Sequence, residues 1–159
     1  MALHLIRGDL FEAQVEAIVI PVNCTGEATA GITKETRRRY YPAFKEYRRA
    51  CEDMRVRIGQ VFVVPVQSDP CLRWILHFPT RYDLHESSQL EYIEEGIDSL
   101  AATLSLFEIR SVAIPAVGCG SGQLSWSDIQ PRLIDGLEHL DETQIFLYAP
   151  LCEVYSDPV

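Results

Sequence analysis

The sequence lacks the long apolar run that a membrane-spanning helix requires. None of its hydrophobic stretches approaches the ~18–20 residues that cross a bilayer. The amino terminus reaches Arg7 too soon to hold the apolar core of a secretory signal. We therefore expect no membrane partner and a cytoplasmic location.

The cysteines and histidines lack the spacing of a disulfide framework or a metal site. Cysteine occurs five times, an odd number, at wide intervals and without a Cys-x-x-Cys pair. The four histidines are scattered and form no His-Glu-x-x-His motif. Structural zinc sites and small disulfide scaffolds depend on such regular spacing. We expect no disulfide framework, no metal and no cofactor.

The chain also lacks the excess of positive charge that general DNA-binding proteins use to hold phosphates. It has 14 Lys and Arg against 23 Asp and Glu, a net charge of −9. Residues 34–57 differ, because they include nine basic and four acidic residues, a net charge of +5. This segment is either a local contact for single-stranded DNA or an ordinary solvated helix face.

The residues that are present predict one α/β domain. A chain of 159 residues with 47% hydrophobic residues suits a single core. Short β-branched runs predict strands at residues 4–7, 16–22, 61–66, 74–78, 111–117 and 144–148. Helical spacing predicts a helix over 33–51 broken near Pro42, one behind a capping box of Ser88 and Glu91, and one over 127–140. This alternation favours helices on both faces of a mostly parallel sheet.

Three loops that follow strands carry unusual residues: 8–10, 23–31 and 118–124. Ligands of such folds bind at the carboxyl ends of the strands. In the third loop Gly118, Gly120 and Gly122 alternate before a helix, which suits a phosphate or pyrophosphate held by backbone N–H groups. The spacing matches neither the Walker motif nor G-x-G-x-x-G. A tight turn explains these glycines equally well.

Single polar residues in the other loops allow two interpretations each. Asn23 offers donors and an acceptor for a sugar diol, or it caps its own turn. Asp9 accepts from an exocyclic amine, or it caps its loop. Tyr148 stacks on a base, or it forms the edge of the core.

Taken in order, these motifs resemble the macrodomain family, in particular the branch of the DarG antitoxins and terminal ADP-ribose glycohydrolases. The resemblance rests on Gly8-Asp9-Leu10, on Pro21-Val22-Asn23 after an apolar strand, and on Ile114-Pro115-Ala116-Val117-Gly118-Cys119-Gly120. Further matches are Phe78-Pro79-Thr80, Leu90-Glu91-Tyr92-Ile93 and Leu124-Ser125-Trp126. It extends from Leu5 to about Pro150.

The resemblance implies one three-layer α/β/α macrodomain over residues 1–159, with a central, mixed, mostly parallel six-stranded sheet and ADP-ribose as its ligand. Asp9 would bind the adenine amine, Asn23 the distal ribose and residues 118–122 the pyrophosphate, with Tyr148 near the adenine. The full set of implied ligand-binding residues is Asp9, Leu10, Asn23, Gly26, Gly31, Pro115, Val117, Gly118, Cys119, Gly120, Ser121, Gly122 and Tyr148.

One departure from the family pattern concerns catalysis. The resemblance implies a catalytic lysine in the second loop, at a position that Ala30 occupies here. Alanine can act neither as a nucleophile nor as a base, whereas binding can persist without it. Glu27, as a general base, and Lys34, one helical turn further on, are the alternatives. Arg81 and His85 could line the distal end of the cleft, in a direction that the sequence does not define.

Three functions follow from the resemblance and this departure. The first is an ADP-ribose-binding domain that recognises free or macromolecule-linked ADP-ribose, including DNA-linked ADP-ribose, with catalysis weakened or lost. The second is an active glycohydrolase that removes ADP-ribose from DNA or protein with a non-standard residue. The third is an interaction domain with a degenerate cleft. For a DarG-like protein the expected partner is a cognate ADP-ribosyltransferase toxin.

Overall fold

A six-stranded sheet forms the centre of the computed structural model, which describes residues 2–150. The ends of the predicted domain, residue 1 and residues 151–159 with Cys152, lie outside the described residues. The strands are β1 (Leu3–Ile6), β2 (Ala17–Asn23), β3 (Phe62–Pro65), β4 (Trp74–Arg81), β5 (Ser111–Ile114) and β6 (Gln144–Tyr148). The α-helices are α1 (Gly31–Arg39), α2 (Tyr41–Glu52), α3 (Leu90–Leu106) and α4 (Trp126–Leu137), and a 3-10 turn spans Leu10–Glu12.

The strand order is β1-β6-β5-β2-β4-β3, and every neighbouring pair is parallel except β3 with β4. Parallel strands require crossover connections, which place helices on the faces of the sheet. None of the helices in residues 2–150 combines the length and hydropathy needed to cross a bilayer.

Helices cover both faces of the sheet, and each face has its own hydrophobic core. Along β2, Ala17 and Val19 belong to the core that contains α3 and α4. Ile18 and Ile20 belong to the core that contains α2. Successive side chains of a strand point to opposite faces, so an uninterrupted apolar strand such as β2 serves two cores at once. The three-layer fold predicted from the sequence is confirmed.

The predicted break near Pro42 is where α1 gives way to α2. Tyr40 separates the two helices, and Pro42 lies in the first turn of α2. Proline is tolerated there because the first N–H groups of a helix have no partner within the helix. Two strand ends differ from the prediction by three residues: β4 continues to Arg81 because it pairs with β2 as far as Asn23, and β5 stops at Ile114.

The predicted capping box at the start of α3 is wrong. The residue at the N-cap position is Gln89, whose side chain makes no capping hydrogen bond. Ser88 is one position too early. Its backbone N–H donates to Gly122 O at 3.1 Å, and its buried hydroxyl has no hydrogen-bond partner. Tertiary packing against the loop around Gly122 outweighs the local capping signal.

His77 of β4 is a buried histidine whose charge state is coupled to folding. It is 2% exposed, and its ring stacks on Tyr47 with the centroids 4.9 Å apart. Its Nδ1 lies 3.1 Å from Phe62 O, which fits a neutral ring donating a hydrogen bond. Burial lowers the pKa of His77 to about 4. The folded protein therefore excludes a proton that the unfolded chain binds.

Acidification should therefore destabilise the protein through His77. The unfolded histidine protonates below pH 6.5, whereas the folded one does so only near pH 4. The free energy of unfolding has its full value above pH 6.5. It falls as the pH decreases toward 4, by about 2 kcal/mol at pH 5. Urea unfolding at pH 7 and pH 5 should show this loss in the wild type and not in His77→Gln. Exposed His139→Gln should behave like the wild type, and an unchanged pH dependence in His77→Gln would contradict the assignment.

Candidate functional site

A cavity of about 350 Å³ opens where β2, β4 and β5 end. Its wall consists of the end of β2, the following loop with the first turn of α1, the end of β4, and the glycine-rich loop after β5. Such an edge is where open α/β sheets bind ligands. Six of the predicted ligand-binding residues line it: Asn23, Gly31, Gly118, Gly120, Ser121 and Gly122.

The side chain of Asn23 organises the loop that forms one wall. Its Oδ1 accepts from the backbone N–H groups of Thr25, Gly26 and Glu27 at 2.9–3.2 Å. Its Nδ2 donates to Glu27 O at 3.0 Å. Asn23 is only 5% exposed, so these bonds form in a nearly dry environment, where they are strong. The turn-capping interpretation of Asn23 thus describes its oxygen, and its Nδ2 has a second N–H besides the one that it donates to Glu27.

Tyr47 of α2 donates a hydrogen bond to Asn23 and is not among the site residues predicted from the sequence. Its hydroxyl donates to the backbone oxygen of Asn23 at 2.7 Å and lies 3.1 Å from its Oδ1. Burial raises the pKa of the Tyr47 phenol well above its usual value, so the hydroxyl remains a donor at neutral pH. The sequence feature that could have indicated Tyr47 is the helical spacing of aromatic residues within 33–51.

The glycine-rich loop is closed by its own backbone hydrogen bonds. Leu124 N donates to Gly118 O at 2.8 Å, and Gln123 N donates to Gly120 O at 3.0 Å. Gly118 has a φ of 79°, a value that side-chain-bearing residues rarely adopt. A Cβ on Gly120 would meet no atom within 4 Å. The loop therefore leaves open space beside the backbone of Gly120, six residues before the first residue of α4.

Two charged side chains line the cavity among the described residues, Glu27 and Arg81. The Arg81 Nη2 donates to Ser121 Oγ at 2.9 Å, and its Nη1 donates to the carbonyl oxygens of Leu84 and Glu86, both at 3.3 Å. Arg81 thus joins the loop after β4 to the glycine-rich loop. The structure supplies the direction of Arg81 that the sequence left open.

No lysine lines this cavity within residues 2–150. The chain has two lysines, Lys34 and Lys45. Lys34 lines a neighbouring groove, and Ala30 is part of the cavity wall. Of the two alternative catalytic positions, the structure places Glu27 in the wall and Lys34 outside it.

Seven of the predicted ligand-binding residues are absent from the cavity wall. Ile6 and Tyr148 are partners in the β1–β6 ladder, so Asp9 follows at the same edge of the sheet. Burial raises the pKa of Tyr148, and the negative charge of Asp9 adds to the effect. Asp9 Oδ1 also accepts from Phe11 N at 2.9 Å. The predicted residues that do not line the cavity are Asp9, Leu10, Gly26, Pro115, Val117, Cys119 and Tyr148.

A family model and the curated sequences similar to this chain agree with each other. The model of the Macro domain matches residues 19–132. A DNA ADP-ribosyl glycohydrolase of Thermus aquaticus is 34% identical over 149 residues, which are 94% of this chain and 41% of that protein. A DNA ADP-ribosyl transferase–DNA ADP-ribosyl glycohydrolase fusion protein of Thermosipho africanus is 26% identical over 94% of this chain and 42% of its own length. The chain thus spans about two fifths of these curated relatives.

Solved structures give the same result. The macrodomain of Mycobacterium tuberculosis DarG superposes with a TM-score of 0.91 at 35% identity, covering 93% of this chain and 97% of that one. Thermosipho africanus DarTG in complex with ADP-ribose gives a TM-score of 0.86 at 25% identity, over 94% of this chain and 42% of that one.

Removal of the Tyr47 hydroxyl should destabilise the wall loop. Tyr47→Phe removes the hydroxyl that donates to the buried backbone oxygen of Asn23. We expect a loss of about 1–2 kcal/mol in the free energy of unfolding. Tyr41→Phe removes an exposed hydroxyl from the same helix and should change stability by less than about 0.5 kcal/mol. Chemical denaturation measures both. Equal stability of the two variants would show that Tyr47 does not support Asn23.

Proposed function

Because the chain belongs to the macro domain family, we propose that its cavity binds ADP-ribose, either free or attached to a macromolecule. The observation that supports this most is the meeting of two loops, the one held by Asn23 and the glycine-rich one, around a single cavity at the carboxyl edge of the sheet. A related structure, that of Thermosipho africanus DarTG, contains ADP-ribose.

The shape of the site suggests how the ligand lies. The diphosphate meets the open backbone around Gly120, where N–H groups favour an anion. The adenine lies toward Asp9, which follows β1, and Tyr148, which ends the neighbouring strand β6. The distal ribose faces Asn23, whose amide N–H donates to a ribose hydroxyl. The ligand itself is ADP-ribose, and the proposal requires no cofactor.

We further propose that hydrolysis is weakened or lost in this chain. The cavity holds a cation, Arg81, but the guanidinium stays protonated and can act neither as a base nor as a nucleophile. The hydrogen bonds of Arg81 to Ser121 and to the carbonyl oxygens of Leu84 and Glu86 also tie it to the loops. Its fixed charge contributes to binding an anionic ligand, whether or not the bond to the ribose is cut.

An active ADP-ribosyl glycohydrolase is the second candidate, and the position of Glu27 favours it. This carboxylate lies in the cavity wall, where it can accept a proton from an attacking water. Arg81 would stabilise the developing negative charge of the leaving group. The curated relatives carry the name DNA ADP-ribosyl glycohydrolase, so DNA is the first substrate to test and protein the second.

The proposal extends to partners. Because a relative joins a DNA ADP-ribosyl transferase and a glycohydrolase in one chain, we expect a cognate ADP-ribosyltransferase toxin as partner. The third function, an interaction domain with a degenerate cleft, predicts no affinity for ADP-ribose. The cytoplasmic location stays a prediction.

A carboxylate at Gly120 should weaken ligand binding without disturbing the fold. The wild type should bind ADP-ribose with a Kd of roughly micromolar order, about −8 kcal/mol. Gly120→Glu introduces a negative charge against the diphosphate, and we expect at least about a tenfold loss of affinity by calorimetry. Gly120→Ala, whose Cβ meets no atom within 4 Å, should stay within about threefold of the wild type. A wild type that does not bind ADP-ribose at millimolar concentration would favour the interaction domain.

A lysine placed in the cavity should increase the rate of hydrolysis, because the proposed loss of activity comes from the absence of an amine there. Two wall positions can carry it, through Ala30→Lys and Arg81→Lys. We expect at least one of them to release ADP-ribose from ADP-ribosylated single-stranded DNA at least about tenfold faster than the wild type. Glu27→Gln is the matched test of the second candidate. A fast wild type that Glu27→Gln inactivates would establish the active glycohydrolase and overturn the weakened one.

A further inference from the structure

We propose that a groove beside the cavity holds the phosphodiester backbone of a single nucleic-acid strand that carries the ADP-ribose. This inference rests on the proposed function and adds a binding site to it. The groove, called here the α1 groove, has a volume of about 860 Å³. The residues that carry the argument are Thr29, Gly31, Lys34, Arg37, Arg38 and Tyr41.

The α1 groove and the ligand cavity share part of their walls. Thr29 and Gly31 line both of them, one in the loop after β2 and the other at the first residue of α1. A macromolecule linked to a nucleotide in the cavity therefore meets this groove directly when it leaves across that wall. The two sites are close enough for one ligand to occupy both.

The α1 groove carries an uncompensated positive charge. Its basic side chains are Lys34, Arg37 and Arg38, and its single acid is Glu35. Glu35 is paired with Arg38 and also with Arg39, which lies 2.9 Å away and outside the groove lining. Lys34 and Arg37 have no carboxylate partner in the part of the chain that the structure describes, and both are exposed. Two cations are therefore available for phosphates.

An exposed aromatic ring completes the groove. Tyr41 is 45% exposed, and the Lys45 Nζ lies 5.7 Å from the centre of its ring. The guanidinium of Arg37 lies 5.4 Å from the centre of the Phe44 ring, which restrains its position. Cations that follow a backbone beside an aromatic ring on which a base can stack are the usual features of single-strand binding.

The charge of the whole chain favours this groove over other surfaces. The protein has a net charge of −9, so most of its surface repels a polyanion. The basic segment 34–57 is the exception, and its α1 half is the part that lines the groove. A nucleic-acid strand matches both the free cations and the ring, whereas an acidic peptide would use only the cations.

The decisive comparison uses two double variants that remove the same charge. Lys34→Ala with Arg37→Ala empties the groove of its free cations. Arg110→Ala with Arg132→Ala removes two arginines that lie outside the groove and pair with Glu142 and Glu94. The probes are free ADP-ribose, a thymidine oligonucleotide of about twelve nucleotides, and the same oligonucleotide carrying one ADP-ribose on a thymine.

The groove variant should lose affinity only for the oligonucleotides. We expect roughly a tenfold or greater loss at low salt, and a decrease of about 1.4 in the slope of log affinity against log salt, because two phosphate contacts disappear. The affinity for free ADP-ribose should be unchanged, as should every affinity of the Arg110 and Arg132 variant. Tyr41→Ala should weaken oligonucleotide binding several-fold, and Tyr41→Phe should not.

Three results would overturn the groove. The first is an equal loss of oligonucleotide binding in both double variants. The second is an unchanged oligonucleotide affinity in the groove variant while the wild type binds ADP-ribose, which leaves the proposed function intact. The third is a loss of affinity in the groove variant that is equally large for a glutamate peptide carrying ADP-ribose. That result would assign the groove to an acidic protein substrate. Failure of the wild type to bind ADP-ribose contradicts the proposed function itself.

Discussion

The hydrogen bonds of the Asn23 side chain are the constraint on which the rest of the site depends. One amide oxygen holds three successive backbone N–H groups and so determines the path of the chain from β2 to α1. This path forms a wall of the cavity and continues through Thr29 and Gly31, which line the α1 groove as well. Tyr47 and the stacked ring of His77 beneath it anchor the arrangement in the core between the sheet and α2. The hydrogen bonds of one buried asparagine thus shape a wall of the cavity.

The charges that line the cavity are the reason why we propose ligand binding rather than hydrolysis. The cavity contains a permanently charged guanidinium but no titratable amine among its lining residues. A fixed positive charge attracts a diphosphate in both the ground state and the transition state, which improves binding without accelerating the reaction. The net charge of −9 also conceals positive charge outside the cavity, since basic residues of segment 34–57 concentrate on α1 and α2.

Much of the fold could be predicted because each element has its own periodicity. The apolar run of β2 and the break at Pro42 depend on nearest neighbours alone, and both are confirmed. The capping box failed for the opposite reason: Ser88 matched a local motif, but its backbone N–H bonds to Gly122, far away in sequence. For the site, the rule that ligands bind at strand ends indicated three loops, and two of them, 23–31 and 118–124, line the cavity, since parallel strands end at one edge of the sheet. It could not show which side chains reach the cavity.

The sequence by itself determined the fold class and the family, and it located two of the loops that line the cavity, because these depend on hydrophobic period, glycine spacing and an ordered set of motifs. Only the tertiary structure decided that Arg81 bridges two loops, that Tyr47 supports Asn23, and that Lys34 faces a groove rather than the cavity. The direction of a side chain depends on strand register and helix phase relative to distant elements, and a one-residue shift would reverse it. Contacts between residues far apart in the chain exist only once the sheet has assembled.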